Sequence, residues 1–238
     1  MYDNENNWSA ILGAHTDAIS VNSLTRAVAI QSPIQYAVAR LDAQVRLKAA
    51  SMDDNSETVE GIATPVDCSA GFPVSAILVG GQQQVKFDFT ANTSATEYTI
   101  YDKVMTSTQE AEPAAMVAPY STTSYSAMNH TLVLENGTGD VMIAIEMTNT
   151  TGVDFYGAGG QLVPAGGKFY VCAKLLAEAA TQTSGHVFKQ DFVTTAKLTL
   201  KDLKSAYNTI PDLRTPQLEI GFSVDLTWQN GHTYEFEF

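Results

Sequence analysis

The chain has 238 residues, of which 45% are hydrophobic, so it is long enough to bury a substantial core. Only 16% are charged and the formal net charge is -13, so phosphate backbones and anionic membrane surfaces would repel it. Its polar surface must come largely from Ser, Thr, Asn and Gln, a composition that suits extracellular β proteins.

The front of the chain gives weak signals. The opening MYDNENNWSA has neither the basic nor the apolar stretch of a signal peptide. We expect a cytosolic protein or an exported one whose signal has been removed, and we favour the second. Residues 34–49 fit a strand or a helix, because their apolar residues match both spacings in part, and we favour the strand. Residues 51–61 predict an acidic loop whose carboxylates lack the spacing of a calcium-binding EF-hand.

The middle of the chain predicts short strands separated by turns. Alternating or apolar runs predict strands at 72–81, 83–90 and 97–105. Residues 111–129 are rich in small and turn-forming residues and predict a long loop, either a plain connection or a binding loop. A hairpin is predicted where HTLVLE and VMIAIEM flank the Asn-Gly turn at 136–140.

The last third contains the clearest strand patterns. Strands are predicted within 161–175, after a glycine turn, and at 191–200. Strict alternation over 218–228 predicts a long strand with one apolar face, and the final HTYEFEF alternates again. The side chains on these two faces are Leu218, Ile220, Phe222, Val224, Leu226 and Trp228, then Tyr234, Phe236 and Phe238. Many short strands with almost no helix predict an all-β chain, an antiparallel β-sandwich with a few short helical turns.

No residue pattern predicts an active site. The four histidines are scattered, and none lies at metal-ligand spacing from another His or a Cys. Nucleophile-elbow and P-loop motifs are absent. Cys68 and Cys172 have neither metal-ligand nor C-x-x-C spacing, so we expect two buried thiols, and a disulfide between them in an oxidising compartment is the alternative. We therefore expect no catalytic residue, no metal and no cofactor, and a protein that is not an enzyme.

Several segments resemble fimbrillins, the pilin subunits of type V pili in Bacteroides-type bacteria. The resemblance is carried by FPVSAILVGGQ (72–82), VPAGGKFY (163–170), VFKQDF (187–192), LKSAYN (203–208) and IPDLRTPQLEIGFSVDLTW (210–228). The last of these is the most specific, and the first fifty residues match less clearly. The resemblance implies transthyretin-like β-sandwich domains, export as a lipoprotein to the cell surface, and a structural, adhesive role in a fimbrium.

The resemblance also implies how subunits assemble. A protease cuts after an arginine and removes an N-terminal strand, and the groove then accepts a strand from the next subunit's C terminus. Arg26 is the candidate cleavage site, because polar residues precede it and an apolar strand follows, whereas Arg40 and Arg46 lie in a regular segment. The apolar face of 218–228 would fill its own core or a neighbour's groove, and residues 234–238 are the better candidate for a mobile donor. Partners would be other pilin, tip or anchor subunits and surface receptors, not nucleic acid.

The sequence departs from the family pattern in two ways. It lacks the signal and lipobox cysteine, and it is shorter than a two-domain subunit. We therefore interpret residues 1–50 as an N-terminal segment that could be the remnant of a β domain, and 51–238 as a C-terminal β-sandwich domain. The alternative is a surface module that binds glycans or other ligands, for which Tyr120 and Tyr125 are candidates. The residue inventory disfavours a secreted hydrolase.

Overall fold

The computed structural model describes residues 38–82, 116–214 and 217–230. They form thirteen strands, one helical turn α1 (Ser56–Glu60) and three short 3-10 turns (Ala158–Gly160, Ala177–Ala179 and Thr181–Thr183). The strands are β1 (Ala39–Leu47), β2 (Ser51–Met52), β3 (Val66–Asp67), β4 (Phe72–Val79), β5 (Met116–Ala118), β6 (Asn129–Val133), β7 (Val141–Thr148), β8 (Phe155–Tyr156), β9 (Leu162–Val163), β10 (Lys168–Leu175), β11 (Phe192–Leu200), β12 (Ala206–Tyr207) and β13 (Phe222–Asn230). No helix of the described residues is both long and apolar enough to span a bilayer.

Two larger sheets make up the fold. One has four strands in the order β13-β11-β1-β6, and the other has five in the order β12-β10-β7-β4-β5. The neighbours within both sheets are antiparallel except for β1 and β11, which run parallel. Two two-stranded sheets, β2-β3 and β8-β9, complete the described part. The prediction of an all-β sandwich is thus confirmed, with one parallel pair where only antiparallel ones were expected.

The core lies between the two sheets, because every second side chain of each strand points inward. Leu41 and Val45 on β1 belong to the same buried cluster as Ile143 on β7 and Val171 on β10. Aromatic rings fill one part of it: Phe169 makes edge-to-face contacts with Phe72 at 5.0 Å and with Phe155 at 5.3 Å between centroids. Edge-to-face packing is a favoured aromatic geometry, so this group stabilises the sandwich beyond its area burial.

A smaller apolar cluster covers the outer face of the five-stranded sheet. Ala144, Tyr170 and Cys172 on that face pack against Leu213, Leu218 and Ile220, which precede β13. The carboxylate of Glu146 is buried on the same face. It accepts hydrogen bonds from Lys168 Nζ at 2.7 Å, from Tyr170 OH at 2.9 Å and from Ser75 Oγ at 2.5 Å. Burial acts to raise the pKa of the Glu146 carboxyl, but these three donors outweigh it and hold the pKa below its usual value.

The chain passes from one sheet to the other at Gly221. Its N–H donates to the carbonyl of Cys172 at 3.1 Å, and its own carbonyl accepts the N–H of Lys201 at 3.0 Å. A Cβ at this position would lie 2.3 Å from Val171 Cγ1. Only glycine therefore permits so close a crossing.

The predicted hairpin at 136–140 is wrong. β6 and β7, the two strands that flank it, lie in different sheets. The connection is an arch held by Asn136, whose Oδ1 accepts the N–H of Phe188 at 2.6 Å and whose carbonyl lies 2.8 Å from His186 Nδ1. A tight turn was foreseen, but long-range hydrogen bonds direct the chain across the sandwich.

Other local predictions fare unevenly. Strands are confirmed within 34–49, 72–81, 161–175 and 191–200. The acidic loop of 51–61 is in fact β2 followed by α1, and part of the loop of 111–129 forms β5. The strands predicted at 83–90 and 97–105 lie outside the described residues.

Candidate assembly surface

The first described strand, β1, occupies the middle of the four-stranded sheet. It is parallel to β11, with Leu41 opposite Thr194, and antiparallel to β6, with Leu41 opposite Thr131. Its inward side chains are almost completely buried, at 0–1% exposure: Ala39, Leu41, Ala43, Val45 and Leu47. Residues 39–47, placed in an N-terminal segment on sequence grounds, are therefore an integral part of the sandwich.

The outward side chains of β1 are held by polar contacts. Asp42 is 4% exposed and accepts a hydrogen bond from Arg40 Nη2 at 2.9 Å, while His130 Nδ1 on β6 lies 2.7 Å from its other oxygen. Arg46 donates to the Thr122 carbonyl at 2.6 Å. These contacts tie the outer face of β1 to its neighbours, as its apolar side chains tie the inner face.

The arginines differ in their suitability for proteolysis. Arg40 and Arg46 lie within β1, and cleavage of a hydrogen-bonded strand requires local unfolding. Arg46 is further fixed by Thr199 Oγ1, 3.0 Å from its Nε. Arg26, the predicted cleavage site, lies outside the described residues.

The predicted long strand at 218–228 divides between two environments. Strand β13 begins only at Phe222, and Leu218 and Ile220 pack on the outer face of the other sheet. Phe222 and Trp228 are buried, and the indole N–H of Trp228 donates a hydrogen bond to the Val187 carbonyl at 3.0 Å. The two residues between them on the inner side are half-buried against the main core: Val224 and Leu226.

Strand β13 lies at the edge of its sheet. It is paired along its whole length with β11, from Phe222 opposite Leu200 to Asn230 opposite Phe192. Within the described part of the chain, no strand pairs with its other side. Edge strands expose unpaired backbone groups that can template another strand. The predicted donor residues Tyr234, Phe236 and Phe238 follow directly but lie outside the described residues.

The candidate ligand-binding residues occupy the loop between β5 and β6. Tyr120 is 43% exposed, and its backbone forms an isolated parallel bridge with Leu47. Tyr125 is half-buried, with the guanidinium of Arg46 4.6 Å and the ammonium of Lys197 5.9 Å from its ring centroid. Its ring is therefore already in contact with two cations of its own chain.

The described residues contain neither an exposed cysteine thiol nor a group of metal-ligating side chains. Cys68 and Cys172 are free and buried, and burial raises the pKa of both thiols to about 12. Across residues 38–82, 116–214 and 217–230, no three His, Cys, Asp or Glu side chains are grouped to hold a metal ion.

Sequence reasoning missed the central position of β1. The signal was present, because apolar and polar residues alternate strictly from Ala39 to Leu47 once the count starts at Ala39. Alternation shows that one face is buried, but it does not reveal which strands lie on either side. The parallel pairing with β11, about 150 residues further along the chain, is set by tertiary packing.

Comparisons with known proteins return few similarities. No protein-family model matches the chain, and no curated protein matches it. It is similar to a crystal structure from Bacteroides eggerthii at 13% identity and a TM-score of 0.40, covering 83% of this chain and 56% of that one. A second, from Parabacteroides distasonis, gives 17% identity and a TM-score of 0.42, covering 84% and 54%. Both are described as a "putative cell adhesion protein". The chain spans about half the length of these structures, and TM-scores of this size carry no conclusion about function.

Proposed function

We propose that the protein is a structural pilin and adhesin subunit of surface fimbriae, and not an enzyme. In this proposal it reaches the cell surface as a lipoprotein and assembles with other pilin subunits by β-strand exchange. The resemblance of its C-terminal segments to fimbrillins motivates the proposal. The single observation that carries it is the position of β1. This first described strand lies between β6 and β11, which are distant from it in sequence.

Displacement of β1 would leave a groove that the domain could not tolerate empty. Complete burial of a Leu or Val side chain contributes about 1.5–3 kcal/mol, so Leu41, Val45 and Leu47 together contribute roughly 5–9 kcal/mol. That is comparable with the whole stability of a typical domain, about 5–15 kcal/mol. The facing edges of β6 and β11 would also lose their backbone partners. A strand from another subunit that supplied both would be held very firmly.

In this proposal, cleavage after Arg26 creates a new chain end ahead of β1, which is joined to the described strands that follow it through residues 48–50. A strand attached at one end can be displaced by a competing strand, because its ladder can open from the free end. The apolar face of 234–238 is the candidate competitor, since its three aromatics alternate with Glu235 and Glu237.

The proposal is tested by cleavage of the full-length chain with an arginine-specific protease. The products would be followed on unboiled SDS gels and by electron microscopy. The expected result is a ladder of SDS-resistant multimers that appears only after cleavage. The variant Arg26→Ala should stay monomeric, whereas Arg214→Ala, which replaces an exposed arginine elsewhere in the chain, should form the ladder like the wild type.

Two other outcomes of this experiment would contradict parts of the proposal. Cleaved protein that remains monomeric under these conditions would contradict polymerisation by strand exchange. A ladder that forms equally well from Arg26→Ala would retain strand exchange but exclude this cleavage site.

A further inference from the structure

A row of cations lies on the outer face of the four-stranded sheet. Arg46 on β1 is opposite Thr199 on β11, and Lys197 lies two positions before Thr199 on the same face. Lys48 and Lys201 follow β1 and β11 in the same alternation, and their backbone N–H groups continue the pairing, to the carbonyls of Leu200 and Gly221. We call Arg46, Lys48, Lys197 and Lys201 the basic strip.

The basic strip has charges available for a ligand. Lys48, Lys197 and Lys201 are exposed, and Arg46 is half-buried. Among the residues that the structure describes, none of the four forms an ion pair, whereas Lys168 and Lys174 elsewhere pair with carboxylates at 2.7 and 2.6 Å. The strip contains four of the thirteen Lys and Arg residues of a chain whose net charge is -13. Such a concentration of unpaired cations is unlike the charge of the rest of the molecule.

Two of the four charges are held in place. The Arg46 guanidinium lies 4.6 Å and the Lys197 ammonium 5.9 Å from the centre of the Tyr125 ring. Arg46 also donates to Thr199 Oγ1 at 3.0 Å, and Tyr125 OH lies 3.3 Å from that same oxygen. Little side-chain freedom remains to be lost when an anion binds to these groups.

The arrangement is linear. Residues two apart on a strand are separated by about 6.6 Å, so Arg46 and Lys48 lie about 6.6 Å apart along β1, and Lys197 and Lys201 about 13 Å apart along β11. Two parallel rows of charge suit a linear polyanion better than one small ion, which needs convergent donors. The adjoining loop supplies hydroxyl groups at Ser121, Thr122, Thr123 and Ser124. Hydroxyls that both donate and accept suit the hydroxyls of a sugar.

We propose that the basic strip binds a linear acidic polysaccharide, through its carboxylate or sulfate groups. Asp225 lies opposite Lys197 in the ladder with β13 and exposes its carboxylate on this face, whereas the Asp42 carboxylate of β1 is already bound by Arg40 and His130. Asp225 opposes an incoming anion and lowers the affinity. The inference goes beyond the proposed function and does not depend on strand exchange, because Lys197, Lys201 and Asp225 lie on β11 and β13 or at their ends.

The test is a titration of the full-length protein with fluorescently labelled polygalacturonate at low ionic strength. The double variant Lys197→Gln/Lys201→Gln should bind about fivefold more weakly, which corresponds to the loss of two exposed ion pairs of about 0.2–1 kcal/mol each. Lys174→Gln/Lys189→Gln makes the same change in net charge away from the strip and should bind within about twofold of the wild type. Asp225→Asn should bind more tightly than the wild type, and Glu57→Gln, the matched removal of an exposed carboxylate, should not.

Parallel titrations identify the ligand chemistry. Dextran sulfate in place of polygalacturonate shows whether sulfate or carboxylate is preferred, and binding to either supports the proposal. It is overturned if neither binds at low ionic strength, if neutral dextran binds equally well, or if the two double variants weaken binding to the same extent. Tighter binding to single-stranded DNA than to either polysaccharide would also overturn it, in favour of a nucleic-acid ligand.

Discussion

Replacement of Leu41 by alanine tests whether β1 is an essential part of the sandwich. Leu41 is the third residue of β1, with 0% of its surface exposed, and belongs to the main core. Truncation removes buried methyl groups and leaves a cavity, which costs about 2.7–5 kcal/mol in comparable cores. We expect the free energy of unfolding to fall by about 3 kcal/mol, measured by urea denaturation with tryptophan fluorescence. In the cleaved protein, weaker binding of β1 should also speed the appearance of SDS-resistant multimers.

The matched control is Leu132→Ala. Leu132 lies on β6 opposite Arg40 of β1, but 66% of it is exposed. Its truncation should change the free energy of unfolding by less than about 0.5 kcal/mol. Equal losses for the two variants, or a loss below about 1 kcal/mol for Leu41→Ala, would refute the argument that β1 fills an otherwise incomplete core.

Three further predictions concern the rest of the sandwich. Gly221→Ala should destabilise the fold by about 1–3 kcal/mol in the same denaturation experiment, whereas Gly139→Ala, where a Cβ meets nothing within 4 Å, should cost far less. The pKa of Glu146 is lower in the folded protein than its unfolded value of 4.5, so its contribution to stability is present above pH 4.5 and is lost as the pH falls through the folded-state pKa. The wild type should therefore lose more stability than Glu146→Gln on acidification below about pH 4.5. Parallel pH profiles of the free energy of unfolding for the two proteins would contradict this. The thiols of Cys68 and Cys172 should react with a thiol reagent at pH 8 only after unfolding, and rapid reaction of the native protein would show that they are not buried.

The sequence was most informative where one face of a strand is buried. The strand-forming residues of 191–200 correctly predicted β11, and the strict alternation in 218–228 correctly predicted most of β13. Alternation failed to show that the run is interrupted at Gly221, because both parts of it bury apolar side chains, but on different sheets. The pattern records that a residue is buried, not what buries it.

Turn signals were informative about direction changes and not about partners. The Asn-Gly pair at 136 correctly marked the break between β6 and β7, but hairpins and arches both need one. The choice between them depends on Asn136, Phe188 and His186, which come together only in the folded chain. The basic strip was missed for a related reason, since Lys197 and Arg46 are far apart in sequence and meet only because β1 and β11 are neighbours.

A disulfide that locks β1 in place is the most direct test of strand exchange. Ala43 on β1 is opposite Ala196 on β11, and both are buried. Neighbouring strands lie about 4.8 Å apart, a spacing that a disulfide can span. The variant Ala43→Cys/Ala196→Cys would be oxidised, treated with the arginine-specific protease, and examined on unboiled SDS gels with and without a reductant. As a control, Thr195→Cys/Thr227→Cys would link β11 to the edge strand β13 and leave β1 unlocked. We predict that the β1 lock abolishes the multimer ladder, that reduction restores it, and that the control lock has no effect. A full ladder with the β1 lock closed would contradict the claim that subunits assemble by exchange of this strand.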